Sequence, residues 1–177
     1  MRTDGQRSHS AKLVFSPGRY RLAAPRLGLP ALALLLLSSA SCARHPGDTP
    51  SLDADLVFCV VETNRYRATA GAPPLLRSAL LEAHAAEGAL VDGTAHILHS
   101  HFSSPGNGGI TLAENELPWW PLARFRNVQA VMREGIAQMW AEGPGGGHYE
   151  NIMGPYTQLG CGVFIHNGEI TIVQNFR

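Results

Sequence analysis

Apolar and polar positions along the C-terminal two-thirds of the chain follow helical and strand-like periods in turn. Leu56, Val57, Val60 and Val61 recur at helical spacing behind Asp53 and Asp55, whose carboxylates suit a first helical turn. Gly71 and Pro73-Pro74 then stop the pattern, which predicts a helix from about residue 53 to about residue 70. A second helix is expected after Pro74, ending near Gly93, with Leu76, Ala79, Leu80, Ala83 and Leu90 as one apolar stripe. Residues 94–126 read as irregular, with a loop at 103–109 and a short strand at Ile110–Ala113. Pro118-Trp119-Trp120-Pro121 excludes a helix interior there. A third helix covers about Asn127–Glu142, burying Val128, Val131, Met132, Ile136, Met139 and Trp140, and the glycine-rich 143–147 run breaks it. Gln158–Ile165 and Ile170–Phe176 flank His166-Asn167-Gly168-Glu169, a hairpin signal. No internal repeat is present. The expected class is α+β, with helices packed on a small sheet.

The first 41 residues have a different pattern. A basic stretch leads into the apolar run Leu27–Leu37, followed by Ser38, Ser39, Ala40, Ser41 and Cys42. That order is a secretory signal. The run is shorter than the ~20 apolar residues a bilayer span needs, and Pro30 interrupts it. Cleavage before Cys42 with lipid added to its thiol resembles a bacterial lipoprotein signal, although Ser39 stands where a large aliphatic residue is usual. Cleavage after Ala40 is the alternative. Residues 42–52 form a polar, Pro-containing linker, and one exported domain follows over 53–177.

Charge sharpens that division. The whole chain of 177 residues is formally neutral, but residues 1–41 hold six basic side chains and one acidic one. The rest holds eight basic against thirteen acidic residues, a formal charge of −5. Its arginines are scattered, so a nucleic-acid partner is excluded. Cys59 and Cys161 are either a disulfide, which an exported setting permits, or two small buried apolar residues.

Candidate chemistry lies in the histidines and glutamates. His96, His99 and His101 fall close together, Glu114-Asn115-Glu116 comes next, Glu142 ends the third helix and His148 follows the glycines. Such groups, if gathered, suit a divalent metal or acid–base work. Otherwise they are ordinary loop polars. His84, on an alanine-rich helix, reads as a surface or partly buried histidine rather than a ligand.

Gly147-His148-Tyr149-Glu150-Asn151-Ile152-Met153, leading into Gly160-Cys161-Gly162, closely resembles the CAP superfamily of cysteine-rich secretory, antigen 5 and pathogenesis-related proteins. Asn64-Arg65-Tyr66-Arg67 with Pro73-Pro74-Leu75, Ala113-Glu114-Asn115 and Gln174-Asn175-Phe176 match in the family's order, so the likeness covers about residues 53–177. It implies an α-β-α sandwich with a cleft holding two histidines and two glutamates. Carried over, these are His148, Glu114, Glu142 (with Glu134 as fallback) and His101, with His99 as the alternative to His101. His101 is preferred because Phe102-Ser103-Ser104-Pro105 follows it. Asn64, Arg67 and Asn151 would be structural.

The likeness implies a non-enzymatic extracellular module binding lipid, sterol or an envelope component, with Trp119, Trp120, Leu122 and Phe125 as a candidate apolar groove. Two other functions compete with it. One is a Zn²⁺-dependent, peptidase-like hydrolase with His101 and His148 as ligands and Glu114 or Glu142 as general base. The other is a structural envelope protein tethered through Cys42 with a degenerate cleft.

Overall fold

The computed structural model describes residues 52–177. The signal segment, Cys42 and the linker up to residue 51 lie outside the described residues. The elements run α1 (Leu52–Thr69), β1 (Leu76–Arg77), α2 (Ala79–Ala95), β2 (Ala113–Pro121), α3 (Val128–Ala141), α4 (Gly147–Met153), β3 (Gln158–His166) and β4 (Glu169–Phe176). Two single-turn 3₁₀ segments, Pro105–Asn107 and Leu122–Arg124, sit in the connections.

The sheet has the order β1-β3-β4-β2. β1 runs parallel to β3, and the β3–β4 and β4–β2 pairs are antiparallel. The hairpin forms where the Asn-Gly signal puts it: Asn167 (φ 50°) and Gly168 (φ 81°) occupy the left-handed region that a two-residue turn requires.

Strand alternation sorts the two faces of this sheet. Ile170, Ile172 and Phe176 of β4, Leu159 and Cys161 of β3 and Leu117 of β2 join Cys59 and Val60 of α1, Val131, Met132, Ile136 and Met139 of α3 and Ile152 of α4 in one apolar core. Val173 turns the other way, onto Ala85 and Ala89 of α2. The helices therefore cover both faces, giving an α-β-α sandwich. Cys59 and Cys161 form a disulfide across the larger core. It closes a loop with a sequence separation of 102, worth about 4–5 kcal/mol in the chain-entropy account.

Two expectations are corrected here. The apolar stripe assigned to the second helix does not face the core. Leu76 is in β1 and exposed, and Leu80 and Leu90 are exposed, while Leu81, His84, Ala85, Gly88, Ala89 and Asp92 are buried. The reason is close approach: a Cβ on Gly162 would lie 2.1 Å from the backbone of Ala85, and one on Gly160 2.3 Å from Glu82 N. A helix seated that tightly presents Leu81 and its small residues to the sheet and leaves Leu80 and Leu90 outside. The strand expected at Ile110–Ala113 is instead β2, Ala113–Pro121. β2 is an edge strand, so Pro118 costs no central ladder bond. An irregularity between Leu117 and Trp120, with Trp119 at φ 49°, admits the Pro-Trp-Trp run.

Candidate functional site: a histidine–glutamate cleft

The site lies along the free side of β2. Glu114 and Glu116 are two apart on one strand and so project from the same face. Glu114 faces its β4 partner Asn175. With the Asn175 amide oxygen accepting from Ala85 N (3.2 Å) and His84 Nδ1 (2.9 Å), its nitrogen donates to Glu114 Oε2 at 3.0 Å. The second carboxylate oxygen, Oε1, accepts from His99 Nδ1 at 2.9 Å. Glu116 Oε2 accepts from the backbone N–H of His99 at 2.9 Å and lies 3.8 Å from His99 Nδ1. Glu116 Oε1 is buried without a hydrogen-bond partner. One ligand atom from each of His99, Glu114 and Glu116 lies within 4.8 Å of the others.

Asp92, fully buried in α2, organises the loop that carries His99. It accepts from Ser100 Oγ and from His101 N (2.9 Å), and its backbone carbonyl takes the Trp119 indole N–H at 3.4 Å. His99 itself sits at φ 54°, a left-handed conformation that non-glycine residues adopt infrequently.

The opposite wall comes from the end of α3 and from α4. Glu142 caps the C-terminus of α3 and accepts twice from His148, from Nδ1 at 2.5 Å and from the backbone N at 3.0 Å. Asn115 Nδ2 donates to the His148 carbonyl at 3.3 Å. Asn151 Nδ2 donates to Glu114 O (3.0 Å) and to Asn115 Oδ1 (2.9 Å), so it pins α4 to the edge of β2. Between the walls is a hollow of about 350 Å³ lined by His99, Glu114, Glu142, Gly147, His148 and Asn151. A second cavity of about 420 Å³ shares His99, Glu114 and Asn151 and adds Phe102, Leu112, Ala113 and Tyr156.

Electrostatics separate the groups. Burial, reinforced by Asp92 and Glu114, pushes the Glu116 carboxyl up to about 7 against the opposing His99 N–H. The Glu114 hydrogen bond raises the His99 imidazole above its ordinary range. The His148 hydrogen bond holds Glu142 below the usual carboxylate range. Burial lowers His84.

The structure thus gathers Glu114, Glu142 and His148 around one hollow, with His99 as the first histidine. It does not bring His101 there. The His101 ring is buried against the His84 ring (centroids 4.6 Å apart), with Nδ1 unpartnered and Nε2 3.8 Å from Glu87. The two histidines are two residues apart in a loop, where no strand or helix period decides which side chain faces the cleft. The fallback Glu134 is exposed, bonds Gln138 and lies away from the hollow. Asn64 bonds both the N–H and the C=O of Leu75, while Arg67, buried, donates to Pro73, Ile152 and Gly154 carbonyls. Both therefore tie α1 to its neighbours. His84 is buried rather than at the surface. Sequence reasoning saw Glu116 only as part of the Glu-Asn-Glu run, without assigning it to the cleft, and passed over Asp92. Strand alternation would have paired Glu116 with Glu114, had 113–121 been read as one strand.

The family model for the cysteine-rich secretory protein family, CAP, matches residues 60–176. The chain belongs to that family. Its CAP domain is similar in fold to the crystal structure of a cysteine-rich secretory protein from Staphylococcus aureus, at 13% identity and a TM-score of 0.46. That match covers 76% of this chain and 41% of the other, so this chain spans under half the length of that protein. A comparison with curated proteins found no significant match.

Proposed function

We propose that the CAP domain is an exported binding module that takes a small amphipathic ligand in the cleft beside β2. The observation that carries this is the junction of two surfaces: the 420 Å³ cavity sets Phe102, Leu112 and Tyr156 directly beside His99, Glu114 and Asn151. Ligand sites of this size combine an apolar lining with a few convergent polar groups. A polar head would meet the His99–Glu114 pair, and an apolar body would cover Leu112, which is largely exposed. The Cys59–Cys161 disulfide supports export, because such bonds persist in oxidising compartments. Lipid attachment at Cys42 remains part of this proposal, as the means of holding the module at a membrane surface.

The Trp-rich groove is a smaller contributor. Trp120 and Phe125 stack and line a separate 330 Å³ pocket, but Trp119 stacks on His96 instead. Thermal melts against short-chain lipids and sterols test the proposal. At least one should raise the Tm of the wild type, and Leu112→Asp should remove the shift while leaving the unliganded melt in place. No shift with any apolar ligand would refute it.

Zinc-assisted hydrolysis is the second reading, favoured by the His/Glu donors facing the hollow. The likeness to the family implies His148 together with His101 or its alternative His99 as ligands, of which His99 lines the hollow, and the imidazole–carboxylate donor set suits Zn²⁺. Bound zinc would supply an acidified water. His99 and His148 are each held by a glutamate, which fixes ring orientation. Zinc-dependent cleavage of a peptide, lost in His148→Ala, would support this reading.

A further inference from the structure

The wall of the cleft formed by β2 and the 96–104 loop gathers three buried carboxyl groups. Asp92, Glu114 and Glu116 are all buried, the two glutamates against His99 and Asp92 against the next two residues of the loop. Among the described residues their hydrogen-bond partners are that imidazole, backbone N–H groups, the Ser100 hydroxyl and the Asn175 amide, with no arginine. Carboxyl groups buried without a cationic side chain beside them either keep a proton or hold a cation.

The geometry provides a place for one. Three donors from three side chains already lie within 4.8 Å of one another, and His99 Nδ1 sits 2.9 Å and 3.8 Å from the two glutamates. Donors around a tetrahedral ion with bonds of ~2.1 Å stand about 3.4 Å apart. Glu116 supplies the independent sign of a missing ligand: its side chain is fully buried, yet Oε1 has no partner. The supporting bonds also match a ligand set. Asn175 holds Glu114 Oε2, and the His99 N–H holds Glu116 Oε2. Glu116 lies outside the Glu-Asn motif on which the family likeness rests.

We propose that His99, Glu114 and Glu116 form a divalent-cation site on one wall of the cleft, independent of His148. One nitrogen and two carboxylates suit Zn²⁺, Co²⁺ or Mn²⁺. The cation would take the place of the imidazole proton now shared with Glu114. This deepens the zinc reading above by moving its ligands to one wall, and it does not depend on the apolar-ligand proposal.

Titration of the chelator-treated full chain with Co²⁺ and Zn²⁺ at pH 8 tests it, by calorimetry and by the Co²⁺ visible spectrum. The expected result is one equivalent bound. Glu116→Gln should weaken binding by about tenfold or more, and His148→Ala should leave the affinity and the Co²⁺ bands unchanged. If Glu116→Gln fails to fold, paramagnetic shifts from Co²⁺ on the wild-type histidine rings decide it, because His99 should show the large contact shifts of a ligand and His148 only the smaller through-space shifts of a neighbour. No binding by the wild type overturns both this site and the zinc reading. Binding lost in His148→Ala but kept in Glu116→Gln overturns this site and leaves the two-histidine reading standing.

Discussion

His99–Glu114 and His148–Glu142 are the same chemical pair in two settings. Their imidazoles are about equally exposed, at 37% and 35%, but Glu114 is fully buried whereas Glu142 is 35% exposed. The buried pair is embedded in a network running through Asn175 to His84, with Glu116 and Asp92 alongside. The exposed pair is a local clasp between the end of α3 and the start of α4. Burial of the carboxylate, rather than the identity of the pair, decides which of them is structurally costly to disturb.

The largest test of that contrast is Asn175→Ala. It strands a carboxylate oxygen of Glu114 and the His84 Nδ1–H in the interior, and should cost about 2–4 kcal/mol in denaturant unfolding. A cost below 0.5 kcal/mol would mean that the network holds nothing together.

Glu116→Gln comes next. Glu116 is raised above its unfolded value, so the folded state holds its proton more tightly. Stability from this group is greatest below pH 4.5 and is lost as pH rises toward about 7. Metal-free wild type should therefore lose stability between pH 5 and 8, while Glu116→Gln flattens that slope and is more stable at pH 8 by about 1–3 kcal/mol. His99 adds in the same direction. Its raised imidazole gives stability fully present below 6.5 and lost as pH climbs through its folded value. Parallel pH profiles for wild type and variant would contradict the assignment.

The exposed pair should respond least. Glu142→Gln is expected to change stability at pH 7 by less than about 1 kcal/mol. Because Glu142 is lowered, its contribution exists above pH 4.5 and disappears as pH falls through its folded value, opposite in sign to Glu116. Unfolding measured at pH 3 and pH 7 for the two variants would show these slopes crossing.

Much of this architecture was legible in the chain. Helical spacing placed α1 and α3 to within a residue or two, and Asn167-Gly168 fixed the hairpin. The resemblance put His148, Glu142 and Glu114 in one cleft, and all three line the hollow. What failed has physical causes. The α2 stripe misled because Gly160 and Gly162 let the α2 backbone approach the sheet at Leu81–Glu82 and Ala85–Ala86, which leaves Leu80 and Leu90 facing outward. His99 and His101 were confused because loop residues follow no period. The place of Glu116 beside Glu114 was not assigned because proline and two tryptophans disguised an edge strand.

One feature of the larger core bears on mechanics. Every cleft residue, from Asp92 to Asn151, lies between Cys59 and Cys161 in the sequence. A pull applied at the start of α1 would pass through two turns of helix and then cross the covalent link into β3. The intervening chain would carry no load and contribute no contour length. The cleft is thereby insulated from tension applied at the start of α1, and it would keep its shape under forces that fray the first helix.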